Sequence, residues 1–187
     1  MRTSTPTWAQ GNILSSSYKG ELKKAMELLD SYPRVIFLGQ SIVYGGSIIS
    51  PSMEGITNKL ELPVMEDTQM GMSIGLSLMG YIPVSIYPRF DFLLLATNQL
   101  VNHLDKIEEM SHGEYKTKVI IRVCVGATTP LYPGLQHCGD YTEAYKLLLN
   151  TIPVVRLEQP EQIVPEYQEA LDRASSTILV ELGDLYD

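Results

Sequence analysis

The sequence has little of what usually announces a chemistry. Cysteine occurs only twice in 187 residues, at Cys124 and Cys138. Two cysteines without metal-type spacing give neither a disulfide framework nor a zinc site, and they fit a reduced, cytoplasmic setting. Cys124 lies inside the apolar run from Val119 to Val125 and reads as a small buried residue. Positive charge is also scarce. Lys and Arg number 14 against 22 Asp and Glu, a net charge of -8. Nucleic-acid phosphates and anionic lipid repel such a chain, so neither is an expected partner. No apolar run approaches the length of a membrane span. The stretch from Met1 to Gly11 lacks a basic region followed by an apolar core, so no signal peptide is expected. There is no phosphate loop, no dinucleotide fingerprint after the first apolar run and no nucleophile elbow. His103, His112 and His137 form no ligand pair at helical spacing.

What is present is a globular composition, 44% hydrophobic and 19% charged. The length suits one domain. Residues 1–14, rich in Thr, Ser and Pro, read as an N-terminal arm, and 15–187 as a single α/β domain. Tyr18 to Ser31 has apolar residues at helical spacing, and Pro33 follows its end. Short apolar runs at Val35–Leu38, Val64–Met65, Pro83–Tyr87, Val119–Val125, Val154–Leu157 and Thr177–Leu182 read as strands. The intervening segments read as helices: Ser52–Leu60, Gln69–Gly80, Phe90–Met110, Asp140–Asn150 and Glu161–Ser175. The second of these is rich in small residues, which predicts close packing against another backbone to offset a helix cost of about 1 kcal/mol per Gly. Strands that are apolar throughout are buried on both faces. The expected fold class is therefore α/β, an open, mainly parallel sheet of about six strands with helices on both sides.

Ligands bind such sheets at the carboxyl ends of strands. Glu66, after Pro63-Val64-Met65, is the first residue this rule brings forward. A carboxylate at the mouth of a buried strand is partly desolvated, and desolvation favours the protonated acid near neutral pH. The plainer alternative is a solvated loop acid or a cap for the helix that follows. Phe90 and Phe92 follow the strand ending at Tyr87, as rings to stack on a flat ligand or as core. His137 lies in a long loop after a buried strand, a place more often functional than not. Arg89 and Arg122 are open either to carboxylate or phosphate contact or to ordinary salt bridges. The loop near Tyr132 would shape the pocket or cover an interface.

Taken together, these sites carry a resemblance. From Gly39 onward the chain resembles the pyrimidine-binding domain of the β subunits of 2-oxo-acid dehydrogenase E1 enzymes and, more distantly, of transketolase. The pieces occur in family order. Gly39-Gln40-Ser41 followed by Tyr44-Gly45-Gly46 stands where the family has Gly-Glu-Asp and Tyr-Gly-Gly. Pro63-Val64-Met65-Glu66 matches Pro-x-x-Glu before a Gly-rich helix, and Gly80-Tyr81-Ile82-Pro83-Val84 the strand entry. Phe90-Asp91-Phe92 matches Phe-Asn-Phe, Asn98 to Asn102 the Asp-Gln-x-x-Asn helix end, Met110 to Gly113 the Met-Ser-Gly-Gly, and Gln136-His137 the Gln-His of the post-strand loop.

The resemblance implies a thiamine-diphosphate-binding fold of pyrimidine type and a cofactor-dependent activity. By it, Glu66 hydrogen-bonds the ring nitrogen of the aminopyrimidine and activates the cofactor. Phe92, with Phe90 in reserve, stacks on the pyrimidine. His137 faces the substrate as a proton donor or polar contact, and Gln40 lies near the cofactor. The reaction class is 2-oxo-acid decarboxylation with acyl transfer, or ketol transfer. Gln40-Ser41 in place of Glu-Asp removes a carboxylate from the site. No Gly-Asp-Gly…Asn motif is present, so diphosphate and Mg²⁺ are expected on a partner subunit, in a homodimer or an α₂β₂-type heterotetramer. The sequence stops at Asp187 without the family's C-terminal domain. The alternative is a non-catalytic regulatory or assembly protein that kept the fold.

Overall fold

A computed structural model describes residues 17–186. The expected arm over 1–14 lies outside them. Helix α1, Tyr18–Asp30, starts where the Ser17 side chain accepts the Gly20 N–H at 3.1 Å. It buries one apolar face through Leu22, Ala25, Met26 and Leu29. Strand β1, Val35–Gly39, follows, then a 3-10 turn at Ser50–Met53 and strand β2, Lys59–Glu61. Next come α2, Glu66–Leu78, and β3, Ile82–Tyr87. The segment to β4, Ile120–Val125, holds α3, Phe90–Leu93, a 3-10 turn at Leu94–Ala96, a π-helical stretch at Gln99–Leu104 and α4, Ile107–Met110. A 3-10 turn at Leu135–His137 leads to α5, Thr142–Leu148, and then β5, Val154–Arg156. Helix α6, Pro160–Asp172, and strand β6, Thr177–Leu182, complete the alternation before a last 3-10 turn at Gly183–Leu185.

The six strands form one sheet in the order β2-β1-β3-β4-β6-β5, and every pairing is parallel. Burial on both faces explains why the inner strands are mostly apolar. Ile120 points into one core with Leu22, Phe37, Tyr167 and Leu179, under α1 and α6. Its neighbours Ile121 and Val123 point into the other, with Met70, Phe90, Leu100 and Tyr145. The fold class expected from the sequence is the one observed.

Several local expectations are corrected. The second strand is Lys59–Glu61, a polar edge strand, and not Val64–Met65, whose side chains are exposed. The helix expected over Ser52–Leu60 is one short turn. Gly55 takes φ +86°, a value that favours glycine, and ends it. Helix α2 begins at Glu66 rather than Gln69. The single helix expected over Phe90–Met110 is broken into four pieces. Its wide π turn keeps Leu100 and Leu104 in the core and brings Asp105 onto the Asn150 and Thr151 backbone at 2.9 and 2.8 Å. Finally, a Cβ built on Gly71 or Gly75 meets no atom within 4 Å. The close packing expected of α2's small residues is therefore not made at its two glycines among the described residues, while Ser73 and Ser77 are buried.

Candidate active site

In the strand order, the chain steps to one side from β1 to β2 and to the other from β3 onward. The β1/β3 boundary is therefore the topological switch point, where open α/β sheets form a crevice beyond the strand ends. Gly39 closes β1 there. A Cβ at this position would sit 2.5 Å from the Ile86 carbonyl, so the two strands approach this closely only with glycine. Beyond it, the Glu61 carboxylate accepts the backbone N–H groups of Ser41, Ile42 and Val43 at 2.5, 2.9 and 2.7 Å and pins the turn. A cavity of about 230 Å³ opens at this point, walled by Gln40, Ser41, Ile48, Pro88, Arg89 and Phe92.

Glu66 stands beside this cavity, 5% exposed. The Gln40 amide, which lines the cavity, donates to its Oε1 at 2.9 Å. Glu66 makes no ion pair among the described residues, and its Oε2 has no hydrogen-bond partner among them. The start of α2 is fixed from below. Tyr87 Oη donates to the Glu66 carbonyl at 3.4 Å, and the buried Gln69 amide donates to the Ile86 carbonyl at 2.9 Å and to Ser85 Oγ at 3.1 Å. Burial holds the Tyr87 phenol well above its ordinary range, so it remains a donor.

The two phenylalanines separate. Phe90 is 0% exposed and packs on Tyr141 and Tyr145, with ring centres 5.7 and 5.3 Å away. It belongs to the core and is not brought to the cavity. Phe92 is brought there, and the His137 ring meets it edge-on with centroids 5.6 Å apart. Among the described residues, His137 Nδ1 is buried without a hydrogen-bond partner. Such an orphaned polar atom costs free energy unless a ligand or water satisfies it.

Residues other than Glu66, Phe92 and His137 hold this arrangement, and of these the sequence brought forward only Arg89. Asp91 accepts the Gly139 N–H and the Tyr141 hydroxyl, both at 3.2 Å, and so anchors the loop that carries His137. Its signal was an Asp where the resembled family has Asn. Asp184 accepts Thr128 N–H at 2.6 Å and Thr129 N–H at 3.3 Å, and these bonds hold its carboxyl below the usual aspartate range. Gly183 lets that turn close, since a Cβ there would lie 2.6 Å from the Ala127 nitrogen. Arg89 Nη1 donates to the Gly126 carbonyl and, at 3.1 Å, to the His137 carbonyl. Arg122 is not part of the site. It is 0% exposed and paired with Glu181 through contacts of 2.6 and 2.9 Å. Cys124 lies next to this pair, where burial and then Glu181 push its thiol up to about 12 and make it inert. Among the described residues, no group of three His, Cys, Asp or Glu is placed to hold a metal ion.

No protein-family model matches the chain. Individual proteins do. It is 29% identical over 168 residues to the chloroplastic pyruvate dehydrogenase E1 component subunit β-3 of Arabidopsis thaliana, covering 86% of this chain and 40% of that one. It is 27% identical over 121 residues to the 3-methyl-2-oxobutanoate dehydrogenase subunit β of Mycobacterium tuberculosis (strain CDC 1551 / Oshkosh), covering 60% of this chain and 33% of that one. Among solved structures, a split-gene transketolase described as an inactive β4 tetramer superposes with a TM-score of 0.64 at 16% identity, over 89% of this chain and 51% of that one. The fold is thus that of a transketolase-like α/β domain. The chain is a homologue of the E1 β subunits, and it spans about two-fifths of the length of the Arabidopsis relative.

Proposed function

We propose that this chain is the β-type subunit of a split thiamine-diphosphate enzyme, acting in the cytoplasm on a 2-oxo acid or a ketose. The observation that carries the proposal is Glu66: a carboxylate 5% exposed, oriented by Gln40 at 2.9 Å, at the mouth of the switch-point crevice. The residues fit the pyrimidine half of the cofactor. Glu66 Oε2 is open to a ring nitrogen, Phe92 offers a ring face, and the orphaned His137 Nδ1 accommodates a polar group. The bound cofactor would supply the electron sink for breaking a bond next to a carbonyl. Glu66 holds and moves the proton at the ring nitrogen, Phe92 stacks, and His137 meets the substrate. Diphosphate and Mg²⁺ are assigned to a partner subunit. The solved neighbour supports this division, since it is a β-type assembly described as inactive.

The test mixes the full chain with a diphosphate-binding partner, thiamine diphosphate and Mg²⁺, and follows exchange of the cofactor's C2 proton by NMR. Glu66→Gln should slow exchange by about 10²–10⁴, the usual range for a positioned acid or base. Exchange at the wild-type rate would refute the assignment. A second reading, a non-catalytic assembly protein, draws on Gln40 standing where the resembled family has Glu. Rapid exchange in the wild-type mixture would exclude it.

A further inference from the structure

A cationic side chain stands next to this site with no counter-charge. Arg89 is half-buried and makes no ion pair among the described residues. In a chain with 22 acids and 14 bases, an unpaired half-buried guanidinium is unusual. Asp184, across the same loop, is already engaged with Thr128 and Thr129. Arg89 uses Nη1 alone on the Gly126 and His137 carbonyls, and its Nη2 and Nε have no partner among the described residues. A carbonyl clamp needs a donor but not a full charge, so the clamp alone leaves the charge unexplained.

Its position completes the argument. Arg89 walls the cavity of about 230 Å³ that holds Gln40 and Phe92. It also walls a second cavity of about 250 Å³ lined by Ile48, Ala127, Pro130, Leu131 and Tyr186. Apart from Arg89 and Ile48, the two cavities share no lining residue. A ligand in either one meets the guanidinium, and the second cavity has no other cationic side chain in its wall. A planar fork held at one nitrogen is preorganised for an oxygen anion at its remaining edge.

We propose that Arg89 binds the anionic end of the substrate, a carboxylate or a phosphate ester, with the rest of the molecule reaching the crevice past Phe92. This rests on reading the crevice as the cofactor site. The test uses the full chain alone, with nitrogen-15 in its arginine side chains. Pyruvate is titrated in one arm and inorganic phosphate in the other. A saturable shift of the Arg89 Nε–H signal is expected in at least one arm, and the arm that saturates at lower concentration names the class of anion. In Arg89→Gln, binding of that anion, followed on the His137 amide, should weaken about tenfold or more, the loss of one charge-assisted hydrogen bond. Arg34→Gln, on the exposed guanidinium that bonds the Gly80 carbonyl, should leave it unchanged. The proposal is overturned if Arg89 does not shift in either arm, or if its shift never saturates and matches that of exposed arginines. The wild-type titration decides this even if Arg89→Gln loosens the loop. An Arg89 signal that saturates while Glu66→Gln leaves proton exchange intact would sink the cofactor reading and leave the anion site standing.

Discussion

Replacing Glu181 by Gln should be among the most damaging single changes in this domain. Arg122 and Glu181 are neighbours on β4 and β6, and both side chains are 0% exposed. The carboxylate takes Arg122 Nε at 2.6 Å and Nη2 at 2.9 Å, Tyr167 Oη at 2.5 Å, and the Tyr186 hydroxyl. Ser52 Oγ accepts a further Nη2 bond at 2.7 Å. Burial alone would favour a neutral Arg122, but Glu181 beside it raises its pKa, so the guanidinium stays charged. The Gln variant leaves that charge buried without a counter-ion and turns an amide donor toward groups that are themselves donors. Removing one partner of a buried pair costs about 3–5 kcal/mol. Domains of this kind have total stabilities of about 5–15 kcal/mol. With a urea slope near 2 kcal/mol per molar, the midpoint should fall by roughly 2 M. Equilibrium unfolding followed by far-ultraviolet circular dichroism reads this directly. The double replacement Arg122→Met with Glu181→Leu removes both charges and should recover most of the loss. A shift below about 0.5 M for Glu181→Gln would mean that water or another group neutralises Arg122, and the account of this core would be wrong.

Other expectations follow from the same geometry. Phe90→Ala should cost about 3–5 kcal/mol as a core cavity. Phe92→Ala should leave stability within about 1 kcal/mol and, on the function proposed above, weaken thiamine diphosphate binding by the chain mixed with its diphosphate-binding partner, as measured by calorimetry. Asp105 takes the Asn150 N–H at 2.9 Å and the Thr151 N–H and hydroxyl, both at 2.8 Å. Burial raises its pKa, but these bonds outweigh burial and lower it overall. Asp105→Asn should therefore lose about 1–3 kcal/mol in urea unfolding. Asp184 and Asp105 both have folded values below their unfolded ones. Their contribution is complete above the unfolded aspartate value of about 3.9 and is lost as pH falls through the folded values. The amides of Thr128 and Thr129 should therefore keep hydrogen-exchange protection down to the ordinary aspartate value of about 3.9 and lose it only at lower pH, and Asp184→Asn should show that loss already at pH 7.

The long-range architecture was legible because its signal is redundant. The buried parallel strands are mostly apolar, with Ser85, Arg122, Thr177 and Glu181 as the buried polar exceptions, and five of the six lie where their apolar runs put them. The strand that was misplaced is the edge one. Lys59, Leu60 and Glu61 are half exposed, so hydrophobicity carries no message there, while Val64 and Met65 are exposed despite their apolar character. The breaks in the Phe90–Met110 segment were hidden for a related reason. Leu93, Ala96, Leu100 and Leu104 fit the spacing of an ordinary helix, and a locally widened turn leaves the same apolar pattern. Phe90 and Phe92 stand two apart in sequence, but only the backbone path after β3 decides which ring enters the core. Arg89 and Asp91 act through loops tens of residues away, so neither role could be read from spacing.

The arrangement of supports bears on why the crevice tolerates Gln40. Arg122 and Glu181 fix Tyr186, and the turn that ends at Tyr186 presents Asp184 to Thr128 and Thr129. Arg89 then ties the start of this loop, at Gly126, to its far end at His137. Asp91 grips the residues just beyond. The loop is thus held at its start, its early turn and its end by Arg89, Asp184 and Asp91, and none of these bonds involves Gln40. Among the described residues, the Gln40 side chain hydrogen-bonds Glu66 and no residue of that loop. A change from a carboxylate to an amide at position 40 therefore acts on the orientation of one acid and leaves the frame intact. An amide N–H can satisfy one Glu66 oxygen without competing for a proton, whereas a second carboxylate 2.9 Å away would have to share one. Gln40→Glu should accordingly change the pH dependence of any activity at this site far more than it changes stability.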